Sequence, residues 1–146
     1  MYITFTDGTG AAQLDNGLRA IAGGVASRAA NWVPDTKVVG AVETGLGTGQ
    51  RFMFPFRTDY LASFDVPELP NSMLSIALRL KAWLEAGNTC HVYTEDSGAR
   101  DYATCGLAEG ASVTLKCTDK VQFLWTLSLT IVNLAGSPTA MLCLYD

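Results

Sequence analysis

At 146 residues the chain is long enough for one domain, 1–146, that buries roughly two-thirds of its unfolded surface. A net charge of −4, with ten basic residues scattered along the chain, excludes a protein that holds nucleic acid by counterion release. Apolar residues reach 49% and charged ones only 16%, so the chain needs either a large core or neighbours that cover part of its surface.

From the start, Tyr2 to Thr6 alternates, with Ile3 and Phe5 on one face, and predicts a strand. Asp7-Gly8-Thr9-Gly10 predicts a turn. Ala11 to Pro34 has two readings. Leu14, Leu18, Ile21 and Val25 have helical spacing, which allows a short helix near Asp15 to Ala22, but Gly17, Gly23 and Gly24 each cost a helix about 1 kcal/mol. An extended arm that orders against a partner is the favoured alternative. Trp32, beside Pro34, is either a core plug at the base of that segment or an interface anchor.

Lys37 to Thr44 is rich in Val and predicts a second strand, ending in Gly45-Leu46-Gly47-Thr48-Gly49. A phosphate-cradling loop needs a helix to open immediately afterwards, and here a strand pattern follows, so the glycines form a hairpin tip. In that next strand Phe52, Phe54 and Phe56 fall on one face, an aromatic stripe that has to be covered, and Pro55 marks an edge or a bulge. Tyr60 to Val66 alternates as a further strand.

Pro70 to Gly87 is the only long stretch with a helical period. Met73, Ile76, Ala77, Leu80, Trp83 and Leu84 share an arc of about 120°, a core-facing stripe. Asn71 or Ser72 is the expected N-cap, and Gly87 the left-handed stop. Leu74 and Leu78 make a second, narrow stripe between Lys81 and Glu85, where a neighbour would rest.

Thr89 to Thr94 and Tyr102 to Leu107 predict a hairpin, and Ser112 to Cys117 another strand with Val113, Leu115 and Cys117 on one face. Val121 to Asn133 alternates throughout, which at about 3.3 Å per residue gives a strand of roughly 40 Å. A strand of that length must pair with more than one neighbour along its course. Thr139 to Tyr145 predicts a last strand that is apolar on both faces, with Leu142 and Leu144 on one of them.

The residue pattern gives no catalytic, cofactor-binding or metal site. His91, the only histidine, follows Cys90 on a strand, where neighbours point to opposite faces and cannot act as base and nucleophile. Glu95, Asp96 and Asp101 cluster with Arg100 at one turn, without the cleft that acid–base chemistry requires. Cys90, Cys105, Cys117 and Cys143 contain no CxxC pair and read as reduced thiols, two disulfides being the alternative. No membrane span is present, the N-terminus shows no secretory signal, and synthesis in the cytosol is expected.

The fold class is therefore mainly β with one principal helix (α+β), the helix laid across a β-sheet body. Phe5 followed by Asp7-Gly8, the helix end Lys81-Ala82-Trp83-Leu84-Glu85-Ala86-Gly87 and the long closing strand Val121 to Asn133 together resemble the tail-tube-like β-barrel fold of phage tail-tip, distal-tail and tube proteins. The Ala/Gly-rich segment Ala11 to Pro34 has no counterpart in that pattern. The resemblance implies a non-enzymatic virion protein, assembled in the host cytoplasm. Its copies form a ring, commonly a hexamer, around a lumen that passes DNA without binding it specifically. Its partners would be other tail proteins: tube, hub and tape measure. Head–tail joining, capsid decoration and a disulfide-stapled β-sandwich binding module are the alternatives. The residues expected at interfaces are Trp32, Leu46, Gly47, Leu74, Leu78, Leu142 and Leu144.

Overall fold

The computed structural model describes residues 1–16, 29–94 and 100–143. Alternation at the start of the chain makes strand β1 (Tyr2–Asp7), in which Ile3 and Phe5 are buried. The Asp7 carboxylate accepts a hydrogen bond from the Thr9 N–H at 2.9 Å, and β2 (Gly10–Leu14) returns antiparallel with Leu14 opposite Ile3. Leu14 thus belongs to a strand and not to a helical stripe. The helical spacing in this segment is overridden by cross-strand packing, which buries Leu14 completely. Leu18, Ile21, Val25 and the helix considered for Asp15 to Ala22 lie almost wholly outside the described residues.

Strands β3 (Ala30–Thr44) and β4 (Arg51–Leu69) form one long hairpin. The two strands expected between Arg51 and Val66 are a single one of 19 residues, because the irregularity at Pro55 is absorbed by a bulge without ending the strand. A second irregularity, at Pro67 and Glu68, turns the chain into the helical region, and Glu68 adopts φ 57°.

The helix begins with a 3-10 turn, Asn71–Met73, and continues as α1 (Leu74–Glu85). Neither expected residue caps it through its side chain: the Asn71 Oδ1 instead accepts from the Trp125 indole N–H at 3.3 Å. The C-terminal stop is as expected. Gly87 adopts φ 88°, its N–H donates to the Leu84 carbonyl at 3.0 Å, and the Asn88 N–H reaches the Trp83 carbonyl. Ala77, Leu80 and Leu84 are buried, with Met73, Ile76 and Trp83 packed partly against the same core. Arg79 fixes the helix to the β1–β2 turn, donating from Nε to Asp7 at 2.9 Å and from a terminal nitrogen to the Gly10 carbonyl at 3.1 Å.

After the helix come β5 (Cys90–Tyr93), β6 (Asp101–Leu107), β7 (Thr114–Asp119) and β8 (Leu124–Asn133). The last begins three residues later than its alternation predicts. Asp119 Oδ1 accepts from the N–H groups of Val121 and Gln122 at 2.9 and 3.0 Å, which holds Val121 to Phe123 in a turn. The expected double pairing of this strand is present. One edge of β8 takes β4 along nearly its whole length, and the other takes β7 over Leu124 to Ser128 and β6 over Ile131 to Asn133.

All strands belong to one open antiparallel sheet in the order β2-β1-β5-β6-β8-β4-β3, with β7 beside β8. The core lies between the sheet and α1 and includes Ile3, Leu14, Phe64, Leu80, Val92, Leu127 and Ile131. No strand forms over Thr139 to Cys143. That stretch is a strap whose carbonyls are held individually: Trp32 Nε1 donates to Met141 at 3.0 Å, the Tyr102 hydroxyl to Leu142, and Asn133 to Thr139. Side-chain donors replace a ladder here, and alternation alone does not distinguish the two.

Candidate assembly interface

The β3–β4 hairpin has two halves. From Ala30 to Lys37 and from Asp59 to Leu69 it is part of the sheet body. Trp32, only 5% exposed, stacks on Phe64 with ring centroids 4.8 Å apart and faces Tyr102 at 6.2 Å. It is therefore a core residue, and its alternative reading as an interface anchor is corrected. Its ring is large and apolar while its N–H is satisfied by the strap, so the plug is complete within one chain. Lys37 lies 3.7 Å from Glu109, and Arg57 donates to Asp59 at 2.9 Å, where the hairpin leaves the body. These two pairs border a groove of about 520 Å³ that Leu134 and Val132 also line.

Beyond that point no described residue pairs with the outer edge of β4, since β8 pairs only with Leu61 to Leu69. The distal half, from Val38 to Thr44 and from Arg51 to Thr58, is a two-stranded ribbon. Its register shows why its surface is apolar all round. Up to Val39, paired with Arg57, the partners keep the body's alternation, in which Val38 and Thr58 continue the core-side face. A bulge between Val39 and Gly40 leaves Phe56 as the extra residue, and beyond it Gly40 pairs with Pro55, Ala41 with Phe54 and Glu43 with Phe52. One added residue reverses the side-chain alternation. Phe52 and Phe54 therefore share the face opposite the core side, while Met53 and Val42 continue it. Phe56 belongs to neither ladder, so the expected stripe of three phenylalanines on one face is split.

Two backbone features build the bulge. Pro55 has no N–H to give to a ladder, and Gly40 allows a close approach: a Cβ there would collide with the Phe54 carbonyl. The tip is closed by the Gly45 N–H, which donates to the Gln50 carbonyl at 2.7 Å. Leu46 at that tip is 100% exposed and Phe56 is 74% exposed; Val38, Val42, Phe52, Met53 and Phe54 are each about half exposed. Taking about 160 Å² as the average for these side chains when fully exposed, this arm presents on the order of 700 Å² of apolar surface. The largest patch on a typical monomer is about 300–600 Å².

The other expected interface residues are dispersed. Gly47 shares the tip with Leu46. Leu78 is 51% exposed and Leu74 half-buried, on a helix that packs over β2 and β6, away from the arm. Leu142 is half exposed on the strap near the arm's base, and Leu144 lies outside the described residues. The β7–β8 turn adds a feature that sequence reasoning placed inside a strand: Val121 is 88% exposed and Phe123 59%.

The polar candidates stay apart. Cys90 is buried, and desolvation pushes its thiol up to about 12. His91 lies on the opposite, exposed face with Nδ1 3.4 Å from Asp101. Glu95 and Asp96 lie outside the described residues. Cys90 faces Cys105 across β5 and β6, and no disulfide joins the described cysteines. Among the described residues no group of three His, Cys, Asp or Glu side chains is placed to hold a metal ion, and no helix is long and apolar enough to cross a membrane.

Comparisons with protein families, with curated proteins and with solved structures find no match for this chain.

Proposed function

We propose that this chain is a structural virion protein, a ring-forming subunit of a phage tail that acts without catalysis. The observation that carries the reading is the β3–β4 arm, a two-stranded ribbon that is apolar on both faces and that no other described strand joins beyond the body. A lone two-stranded ribbon is marginal in water, so this one is stable where neighbours cover it. Its exposed apolar area is close to the roughly 800 Å² that each partner gives to a standard protein interface. At about 25 cal/mol per Å², burying it would supply on the order of 17 kcal/mol before the cost of association, estimated at about 4–15 kcal/mol, is subtracted.

The open sheet supports a ring in particular. Among the described residues, strands β2 and β3 sit at its two ends with no further strand beside them. Edge pairing between copies, β2 of one with β3 of the next, is a heterologous contact that closes into a cycle when the rotation permits. Six such sheets would line a lumen as a tube-like barrel. With a net charge of −4 and no cationic clustering, that lumen would let DNA pass without holding it. In the tail the ring would join the tube to hub or receptor-binding parts. Electron microscopy of the concentrated wild type tests this: rings of fixed copy number with a central channel are expected. A monodisperse monomer at every concentration overturns the reading.

A further inference from the structure

Two cysteines face each other inside the core, and a bulge brings them there. Between the pair Val92–Tyr102 and the pair Cys90–Cys105, β6 carries one residue more than β5. An extra residue reverses side-chain alternation. Tyr102 and Cys105 are both buried while Thr104 between them is exposed, so Cys105 lies on the same core face as Cys90. Thr104 adopts φ 53° within the bulge, a left-handed conformation that is an outlier for a β-branched residue. In a regular ladder Thr104 would stand opposite Cys90, and Cys105 would point away from the core.

Facing residues of an antiparallel pair have Cα atoms about 4.5 or 5.5 Å apart, and both spacings fall within the roughly 4.4–6.8 Å that a disulfide spans. The two side chains also leave the sheet on the same side, which a cross-strand bond requires. Cys117, by contrast, faces Trp125 on β7. In the reduced chain the Cys105 thiol donates to the Tyr102 carbonyl at 2.9 Å. Burial pushes both thiols up, and charge on Cys90 raises Cys105 further, so the two sulfurs lie within electrostatic reach of each other. Burial also shields them from solution while the strands stay paired. That pairing is short: three registered positions, and the Thr94 N–H on the Arg100 carbonyl at 3.1 Å. Across this seam β2-β1-β5 is joined to β6-β8-β4-β3.

We infer that Cys90 and Cys105 are a latent cross-strand disulfide, closed by a low-molecular-weight disulfide whenever local opening of the β5–β6 seam admits it. This is a property of the single chain and does not rest on the ring proposed above. On opening, one thiol loses its proton, and its sulfur attacks the small disulfide and expels one small thiolate. The second cysteine, deprotonated in turn, attacks the mixed disulfide and expels the other. Two protein thiols are oxidised to one disulfide, one small disulfide is reduced to two thiols, and the two protons end on those thiols. Once the seam closes again the new bond is buried, so reductants reach it only through the same opening. The bond ties the two parts of the sheet together through the core.

The test incubates full-length wild type with oxidised glutathione under native conditions. Free thiols are then alkylated in denaturant and the tryptic peptides are mapped. Cleavage after Arg100, Lys116 and Lys120 places the four cysteines in different peptides. Half of the thiols are expected to disappear, with the peptides of Cys90 and Cys105 joined to each other. The loop closed is about 15 residues, and the melting temperature should rise by roughly 6–12 °C. The double variant Cys117→Ser/Cys143→Ser should show the whole rise, and Cys90→Ala none, each measured against its own reduced form. Urea below the unfolding transition should speed closure at least tenfold, because opening limits it. A disulfide that includes Cys117 or Cys143, a stable glutathione adduct in place of the internal bond, or four thiols that stay free in every condition short of unfolding overturns the inference.

Discussion

One pair of strands, β3 and β4, is built in two ways along its length. In the proximal half β4 buries Ala62, Phe64 and Val66 on one side, exposes Ser63 on the other, and carries a third strand on its free edge. In the distal half the same strands expose Phe52, Met53, Phe54 and Phe56, and no described residue adds a third strand. The difference arises from one bulge at Gly40 and Pro55, and from the point where β8 ends. The proximal half is stabilised from within the chain, whereas the distal half presents the surface from which a neighbour would gain.

Substitutions on either side of that boundary should separate folding from assembly. Leu80→Ala, in the fully buried centre of the core, should cost about 3 kcal/mol and lower the melting temperature by roughly 6–12 °C, as calorimetry would show. Phe56→Asp, in the arm, should leave thermal stability within about 0.5 kcal/mol of wild type and weaken self-association at least tenfold by sedimentation. If both variants lost stability equally, the arm would be part of the folding unit and the comparison would fail. Gly40→Ala addresses the boundary itself. The Phe54 carbonyl must give way to the new methyl group, at a local cost of about 1–3 kcal/mol. Hydrogen exchange should quicken from Val38 to Arg57 while the amides of β8 keep their protection.

Body and arm were legible to different degrees. The β1 alternation, the β5–β6 hairpin, the alternation of β8 from Leu124 on, the helix stripe and the Gly87 stop are local patterns that the tertiary packing repeats. The late start of β8 was hidden because Val121 and Phe123 obey the strand alternation although Asp119 holds them in a turn. The Thr139 to Cys143 strap was read as a strand because Trp32, Tyr102 and Asn133 satisfy its carbonyls from distant parts of the chain. The Asn71 cap failed for a similar reason, since its carbonyl oxygen is taken by Trp125 from across the sheet. Of the candidate interface, Leu46 and Gly47 were legible as a hairpin tip. The aromatic stripe was recognised as needing cover, but not that the bulge splits it over the ribbon. The available signal was Phe52-Met53-Phe54, an apolar run that fits no half-buried strand.

Smaller effects should sharpen the picture of the body. Leu78→Glu changes a half-exposed helix position, so the monomer should melt as wild type does; a severalfold loss of assembly would add the helix face to the interface. Asp7, held to about 2 chiefly by the hydrogen bond from Arg79, provides a pH signature. Its folded pKa lies below the unfolded value of about 3.9, so its contribution is present above about pH 4 and is lost as the pH falls towards 2. The wild-type melting temperature should therefore fall more steeply over that interval than that of Asp7→Asn.

The claim that a neighbouring copy covers the arm is tested most directly by hydrogen exchange of the wild type across a concentration series, read beside its sedimentation. As the chain assembles, amides from Val38 to Arg57 should gain protection while those of β1 and β8 stay constant. Exchange in the arm that does not change with concentration, in a chain that nevertheless assembles, would contradict it.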